Sequence, residues 1–185
     1  AKAVKMVCQL ALKYRKRLHI AHVSCEAELE IINEYREMAK AGKNGENAGF
    51  AVTCEVAPHH MLLCDTDYED LDNFIKVNPP IRGRTDIFAL WKGIKFGEID
   101  IIATDHAPHT IVEKELPYLE APSGVPELDT LLPILMNSVN DEGLSVAEVV
   151  RMCCEKPAAI FGLRGKGQVE AGFDADLVVV DMNLE

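Results

Sequence analysis

The chain has 185 residues, a net charge of −11, 48% hydrophobic residues and 26% charged ones. That length suits one medium domain or part of a larger one, and the composition is globular. The acidic balance argues against nucleic acid or a membrane surface as partner, and no apolar run reaches the roughly 20 residues needed to span a bilayer.

The first element predicted is a basic, amphipathic helix, with Val4, Val7, Leu10, Ala11 and Tyr14 on one face. It is not the pattern of a signal peptide. No capping residue precedes it, which predicts missing material upstream. Leu18 to Val23 reads as a short buried strand, with Ser24 placed to cap a helix whose stripe is Leu29, Ile32, Tyr35 and Met38 or Ala39. Residues 40–49 read as a surface loop. Phe50 to Val56 is a second strand, ending at Pro58-His59-His60. Residues 61–75 look irregular, with one helical turn near Tyr68. Lys76 to Pro80 is extended, because each Pro moves its predecessor out of the helical region.

Thr85 to Phe96 is a helix with Leu90, Trp91 and Ile94 inward. Ile99 to Thr104 is the third strong strand, and a long loop, 110–126, follows it. Helices come next near 127–140, 146–154 and 157–161. Ser145 and Glu148 form a capping box, and Gly162 is placed to end the last helix. Gly172 to Asp176 makes a turn, and Leu177 to Val180 reads as a final apolar strand. Strands alternating with helices predict an α/β fold with a parallel sheet. Three strong strands are too few to close an eight-stranded barrel, so the pattern fits the last part of a (β/α)8, TIM-like barrel. Six Cys without a Cys-x-x-Cys pair predict buried thiols in the cytoplasm rather than a disulfide framework.

The chemistry concentrates at the ends of strands. Ile101 to Thr104 runs into Asp105, His106 and His109, as in barrels that carry working side chains on the carboxyl ends of their strands. Asp105 is suited to ligate a metal with one oxygen and take a proton from bound water with the other. His22 ends the first strand, where a ligand and a packed imidazole are equally good readings. His19 points to the opposite face and reads as a satisfied packing histidine. Glu55 near the end of the second strand is either an orienting group, a metal ligand or an exposed acid. His59-His60 reads as a turn with one imidazole packed and one in solvent. Asn78 is held by two prolines and suits recognition of a polar molecule, or is simply a turn residue. Arg82 reads as solvated. His109 is close enough in sequence to bind a substrate anion, and the backbone of Ser123-Gly124 is suited to approach the same anion. Gly162-x-x-Gly165-x-Gly167 follows a helix, not a strand, and so fails as a phosphate loop.

Four motifs together resemble dihydroorotase: Leu18 to Ser24, Thr53 to His60, Lys76 to Arg82 and Ala103 to His109. The segment Gly172 to Asp181 is similar to the closing segment of the wider amidohydrolase superfamily. The resemblance covers nearly the whole chain and matches the later half of that enzyme. It implies residues 1–165 as a partial amidohydrolase barrel and 166–185 as part of a small β domain. It implies the zinc-dependent interconversion of N-carbamoyl-L-aspartate and L-dihydroorotate in pyrimidine synthesis. By motif, His22 is then a zinc ligand, and Asp105 both a ligand and the proton-transfer group. Asn78 and His109 hold the substrate, with Ser123 and Gly124 nearby. Glu55 matches a ligand of a third metal found in some relatives, but Ala21 stands where its Cys partner belongs.

The family's His-x-His pair, its bridging carboxylated Lys or Asp and a further His have no counterpart here. Two zinc ions are implied for the intact enzyme and an incomplete site for this chain, which by itself is then inactive. Open strand edges imply a partner, either an amino-terminal part of the barrel or a second copy. Hydantoinase and allantoinase are the enzymatic rivals. A non-catalytic assembly subunit, for example of aspartate transcarbamoylase, is the alternative of another class.

Overall fold

The computed structural model describes residues 1–41 and 47–182, so part of the loop expected at 40–49 lies outside the described residues. The chain divides into two compact units, Ala1–Glu127 and Leu128–Glu185.

The first unit is built on a three-stranded parallel sheet in the order β1-β2-β3: β1 Arg17–Ile20, β2 Ala51–Val56 and β3 Ile101–Ile102. Register runs Arg17 opposite Ala51 to Ile20 opposite Cys54, then Glu55 opposite Ile101. The alternation along β2 is clear. Val52, Cys54 and Val56 are buried, and Ala51, Thr53 and Glu55 point the other way. The α/β class and the parallel sheet agree with the sequence; β3 is shorter than Ile99 to Thr104.

Helix α1, Lys2–Tyr14, buries Val4, Cys8 and Ala11, whereas Leu10 and Tyr14 are exposed. The inward stripe is therefore rotated from the expected one, with Cys8 at its centre. Helix α2, Glu26–Ala41, buries Leu29, Ile32 and Tyr35 as expected. Its start is inverted relative to expectation: Ser24 N–H and Oγ–H donate to Glu28 Oε2 at 2.9 and 3.3 Å, so Glu28 reaches back. Arg36 on α2 donates to the carbonyls of Val52, at 3.0 Å, and Glu98, and pairs with Asp100. Asp100 Oδ2 accepts from Cys54 N–H at 2.9 Å, so one guanidinium ties α2, β2 and the entrance to β3 together.

The segment expected to be irregular carries α3, Pro58–Leu62, a 3-10 turn at Asp65–Asp67, α4, Tyr68–Leu71, and a second 3-10 turn at Asp72–Ile75. Helix α5, Arg84–Lys95, buries Leu90 and Ile94, while Trp91 is half-buried and donates Nε1–H to Met61 O at 2.9 Å. A Cβ at Gly93 would stand 3.0 Å from Leu29 Cδ1, so this glycine sets how closely α5 meets α2. The loop after β3 contains α6, Ile111–Lys114, opened by a Thr110–Glu113 capping box.

The second unit holds α7, Leu131–Asn140, α8, Val146–Val150, a π-helical turn at Arg151–Glu155 and α9, Lys156–Phe161. Ser145 and Glu148 form their box, and Gly162 (φ 70°) ends α9 in the left-handed conformation. The expected strand Leu177 to Val180 is absent: Val179 is 99% exposed, and these residues meet no ladder partner among the described residues.

Candidate active site

Because the three strands are parallel, their carboxyl ends share one edge of the sheet, and the candidate residues leave from it. His22 lies between Ile20, the last residue of β1, and Val23, whose N–H donates to Glu55 O at 2.8 Å. Asp105 follows β3; Ala103 N–H donates to Val56 O at 3.0 Å just before it. Both residues adopt positive φ, 39° at His22 and 49° at Asp105. Such a backbone is uncommon outside glycine, and Asp and His are among the residues that tolerate it. His22 is half-buried and Asp105 is exposed.

Asn78, His109, Ser123 and Gly124, four residues singled out from the sequence, are brought together. Asn78 Nδ2–H donates to Ser123 Oγ at 3.1 Å, and His109 Nε2–H donates to Ser123 O at 3.1 Å. Gly124 has φ 138°, and a Cβ there would lie 2.6 Å from Ala107 O. Only glycine lets the two loops approach this closely. Its N–H is engaged by Lys76 O at 2.8 Å, so the Gly124 amide is not directed at an anion. Ile75, Val77 and Ile81, on the strap that carries Asn78, share a small buried core with Val125, next to Gly124.

Beside them is a layer of buried imidazoles. His59 and His60 are each 2% exposed, which corrects the expectation that one of them faces solvent. His59 Nδ1–H donates to Glu127 Oε1 at 3.0 Å, and Glu127 N–H donates to His106 Nδ1 at 3.1 Å. His60 Nε2–H donates to Pro79 O at 2.9 Å. Among the described residues, neither His59 Nε2 nor His60 Nδ1 meets a hydrogen-bond partner. Burial pushes the His60 imidazole from 6.5 down to about 4, and the neighbouring charges of His59, His22 and Arg82 add to this against the Pro79 carbonyl. Arg82, expected to be solvated, is half-buried and donates to Ser24 Oγ at 3.4 Å.

Glu55 is held by β1. His19 sits between Thr53 Oγ1, at 2.8 Å, and Glu55 Oε2, at 2.9 Å, and this satisfied histidine lies on the face of β2 away from Cys54 and α2. Among the described residues no three His, Cys, Asp or Glu side chains converge to hold a metal ion.

Lys114 and Glu127 escaped the sequence reading. The Thr110-x-x-Glu113 spacing was a visible signal for the turn that carries Lys114. Nothing local marked either side chain as buried.

This chain matches the amidohydrolase family over residues 1–185, and it belongs to that family. It is 41% identical, over 98% of its length, to a protein of Methanosarcina acetivorans named dihydroorotase, and 42% identical, over 90%, to one of Brevibacillus brevis with the same name. It spans 38% and 37% of the lengths of those relatives. Among solved structures, L-hydantoinase (dihydropyrimidinase) from Arthrobacter aurescens superposes with a TM-score of 0.83 at 31% identity, over 94% of this chain and 38% of the other. D-hydantoinase from Thermus sp. superposes at 0.84 with 23% identity, over 96% and 38%, and speaks for the fold alone. Among the described residues no helix is long and apolar enough to cross a membrane.

Proposed function

We propose that this chain is the carboxyl-terminal part of a cytoplasmic, zinc-dependent dihydroorotase, with residues 1–165 a part of its barrel and 166–185 a part of its small β domain. One observation carries the reading: Asn78, Ser123 and His109 meet in one hydrogen-bonded group beside the strand ends that bear His22 and Asp105. The resemblance to proteins named dihydroorotase supports the substrate, N-carbamoyl-L-aspartate or L-dihydroorotate.

Asn78 and His109 orient the substrate. With Nε2–H donated to Ser123 O, His109 turns Nδ1 to the ligand. On ring opening the exposed Asp105 carboxylate takes a proton from the attacking water and delivers it to the departing amide nitrogen; on closure it takes the proton from that nitrogen and delivers it to the departing hydroxyl, so it is ionised again after each turnover. His22 and Asp105 supply two zinc ligands, and the remaining ligands come from outside these residues. The chain alone is then inactive. It gains its partner, an amino-terminal barrel part or a second copy, along the open edges of β1 and β3.

The test joins the chain with the amino-terminal portion of the Methanosarcina acetivorans relative and assays cyclisation of N-carbamoyl-L-aspartate with and without zinc. Zinc-dependent turnover by the assembly, with none by the chain alone, is expected. Full turnover by the 185-residue chain alone overturns the incomplete site. Preference of the assembly for hydantoin overturns the substrate and favours a hydantoinase, the reading the Arthrobacter structure supports.

A further inference from the structure

Lys114 is 5% exposed, and its ammonium points into protein. It donates to three backbone carbonyls: Lys76 O at 3.2 Å, Pro122 O at 3.1 Å and Gly124 O at 2.9 Å. Three N–H donors meet three acceptors. The charge that acts on it most is another cation, Lys76, so carbonyl dipoles hold a buried charge that is usually held by a carboxylate.

The acceptors are not scattered. Pro122, Ser123 and Gly124 are consecutive, and each of their carbonyls takes a side-chain donor: Lys114, His109 and Lys114 again. Lys76 O takes both the Lys114 ammonium and the Gly124 N–H, and lies two residues before Asn78. The two halves of the Asn78–Ser123 contact are thus fastened to one nitrogen. The one-turn helix α6 sets that nitrogen in place, because its capping box begins at Thr110, directly after His109.

We propose that Lys114 is a positioning residue of the substrate pocket. Its ammonium clamps the Pro122–Gly124 turn to the Lys76–Asn78 strap, so Asn78, Ser123 and His109 are preset before substrate arrives. This rests on the reading that these three residues contact the substrate. A pocket set loosely loses binding, since the substrate must then order the strap and the turn itself, and that cost is subtracted from its affinity.

Lys114→Met is expected to raise KM about tenfold in the zinc-loaded assembly described above, with kcat within about threefold. Lys114→Arg, which keeps charge and donors, is expected to lie between. Amide exchange read on the same samples is expected to speed up at Gly124 and Ala107, about a hundredfold, and not at Cys54 in β2. An unchanged KM in folded Lys114→Met overturns the proposal. So does a loss of kcat with KM held. Should Lys114→Met not fold, Lys114→Gln carries the same comparison. Failure of both to fold also overturns it, since the clamp then serves the whole unit. If the wild-type assembly turns over no substrate, the functional reading falls, and the exchange at Gly124 and Ala107 decides on the clamp.

Discussion

Acid should weaken this fold through one buried imidazole. His60 is held neutral, at about 4 against an ordinary 6.5, chiefly by burial. Above 6.5 neither the folded nor the unfolded state binds the proton, and the fold suffers no penalty. Between 6.5 and about 4 the unfolded chain binds it and the folded chain does not, so stability falls as pH falls. Below about 4 both bind it and the loss is complete, about 3 kcal/mol in all. From about pH 7 to about pH 5 the same two values give a loss of about 2 kcal/mol. Carboxylates titrate near this window too, so a control is required. His60→Gln places an amide nitrogen near the Nε2 position, keeps a donor for Pro79 O and does not titrate. Urea unfolding of both proteins at the two pH values, in chelator, gives the difference of differences. Wild type should lose about 2 kcal/mol more than the variant. Equal losses would show that His60 is protonated in the fold as readily as out of it, and the account of its burial would be wrong.

Gly124→Ala puts a Cβ against Ala107 O at a φ that L residues avoid, and should cost about 2 kcal/mol in thermal unfolding; a variant as stable as wild type would mean the loops do not meet as described. Asp105→Asn keeps a residue type that tolerates positive φ at an exposed site, so stability should stay within about 0.5 kcal/mol. Its turnover in the zinc-loaded assembly should fall by about 10² to 10⁴, and retained turnover would remove Asp105 from proton transfer. Arg36→Met strands Asp100 and two backbone carbonyls, and should cost about 3 kcal/mol by urea unfolding. A loss under about 1 kcal/mol would mean that Arg36 does not tie α2, β2 and β3 together as described.

The strands were legible because short apolar runs ended by turn residues have one good use in a parallel α/β fold. That Asn78 joins Ser123 and His109 was legible only through the resemblance, since its contact with Ser123 spans 45 residues of chain. Lys114 was invisible for a related reason. A lysine is buried only where acceptors wait for it, and its three acceptors lie on two other segments. One of His59 and His60 was expected in solvent because local pattern does not report that Pro79 O and Glu127 will take their N–H groups. Leu177 to Val180 shows the converse. Four apolar residues read as a strand whether or not a neighbour pairs with them, and pairing decides.

Strand β2 acts as the ruler for the candidate centre. Its last two carbonyls hold the chain on either side: Glu55 O takes Val23 N–H, next to His22, and Val56 O takes Ala103 N–H, two residues before Asp105. Each candidate residue also carries a left-handed backbone that costs about 1–2 kcal/mol. A flexible loop would relax out of such a conformation. Here the bonds on the flanks do not permit it, and on the Asp105 side Glu127 N–H to His106 Nδ1 and Ala107 N–H to Val125 O close the other end. The same strand runs on into Pro58, His59 and His60, whose rings are buried. A one-residue slip of β2 would therefore shift His22, Asp105 and the His59-His60 pair together. The backbone next to His22 and the backbone leading to Asp105 are thus both held by hydrogen bonds to one strand, β2.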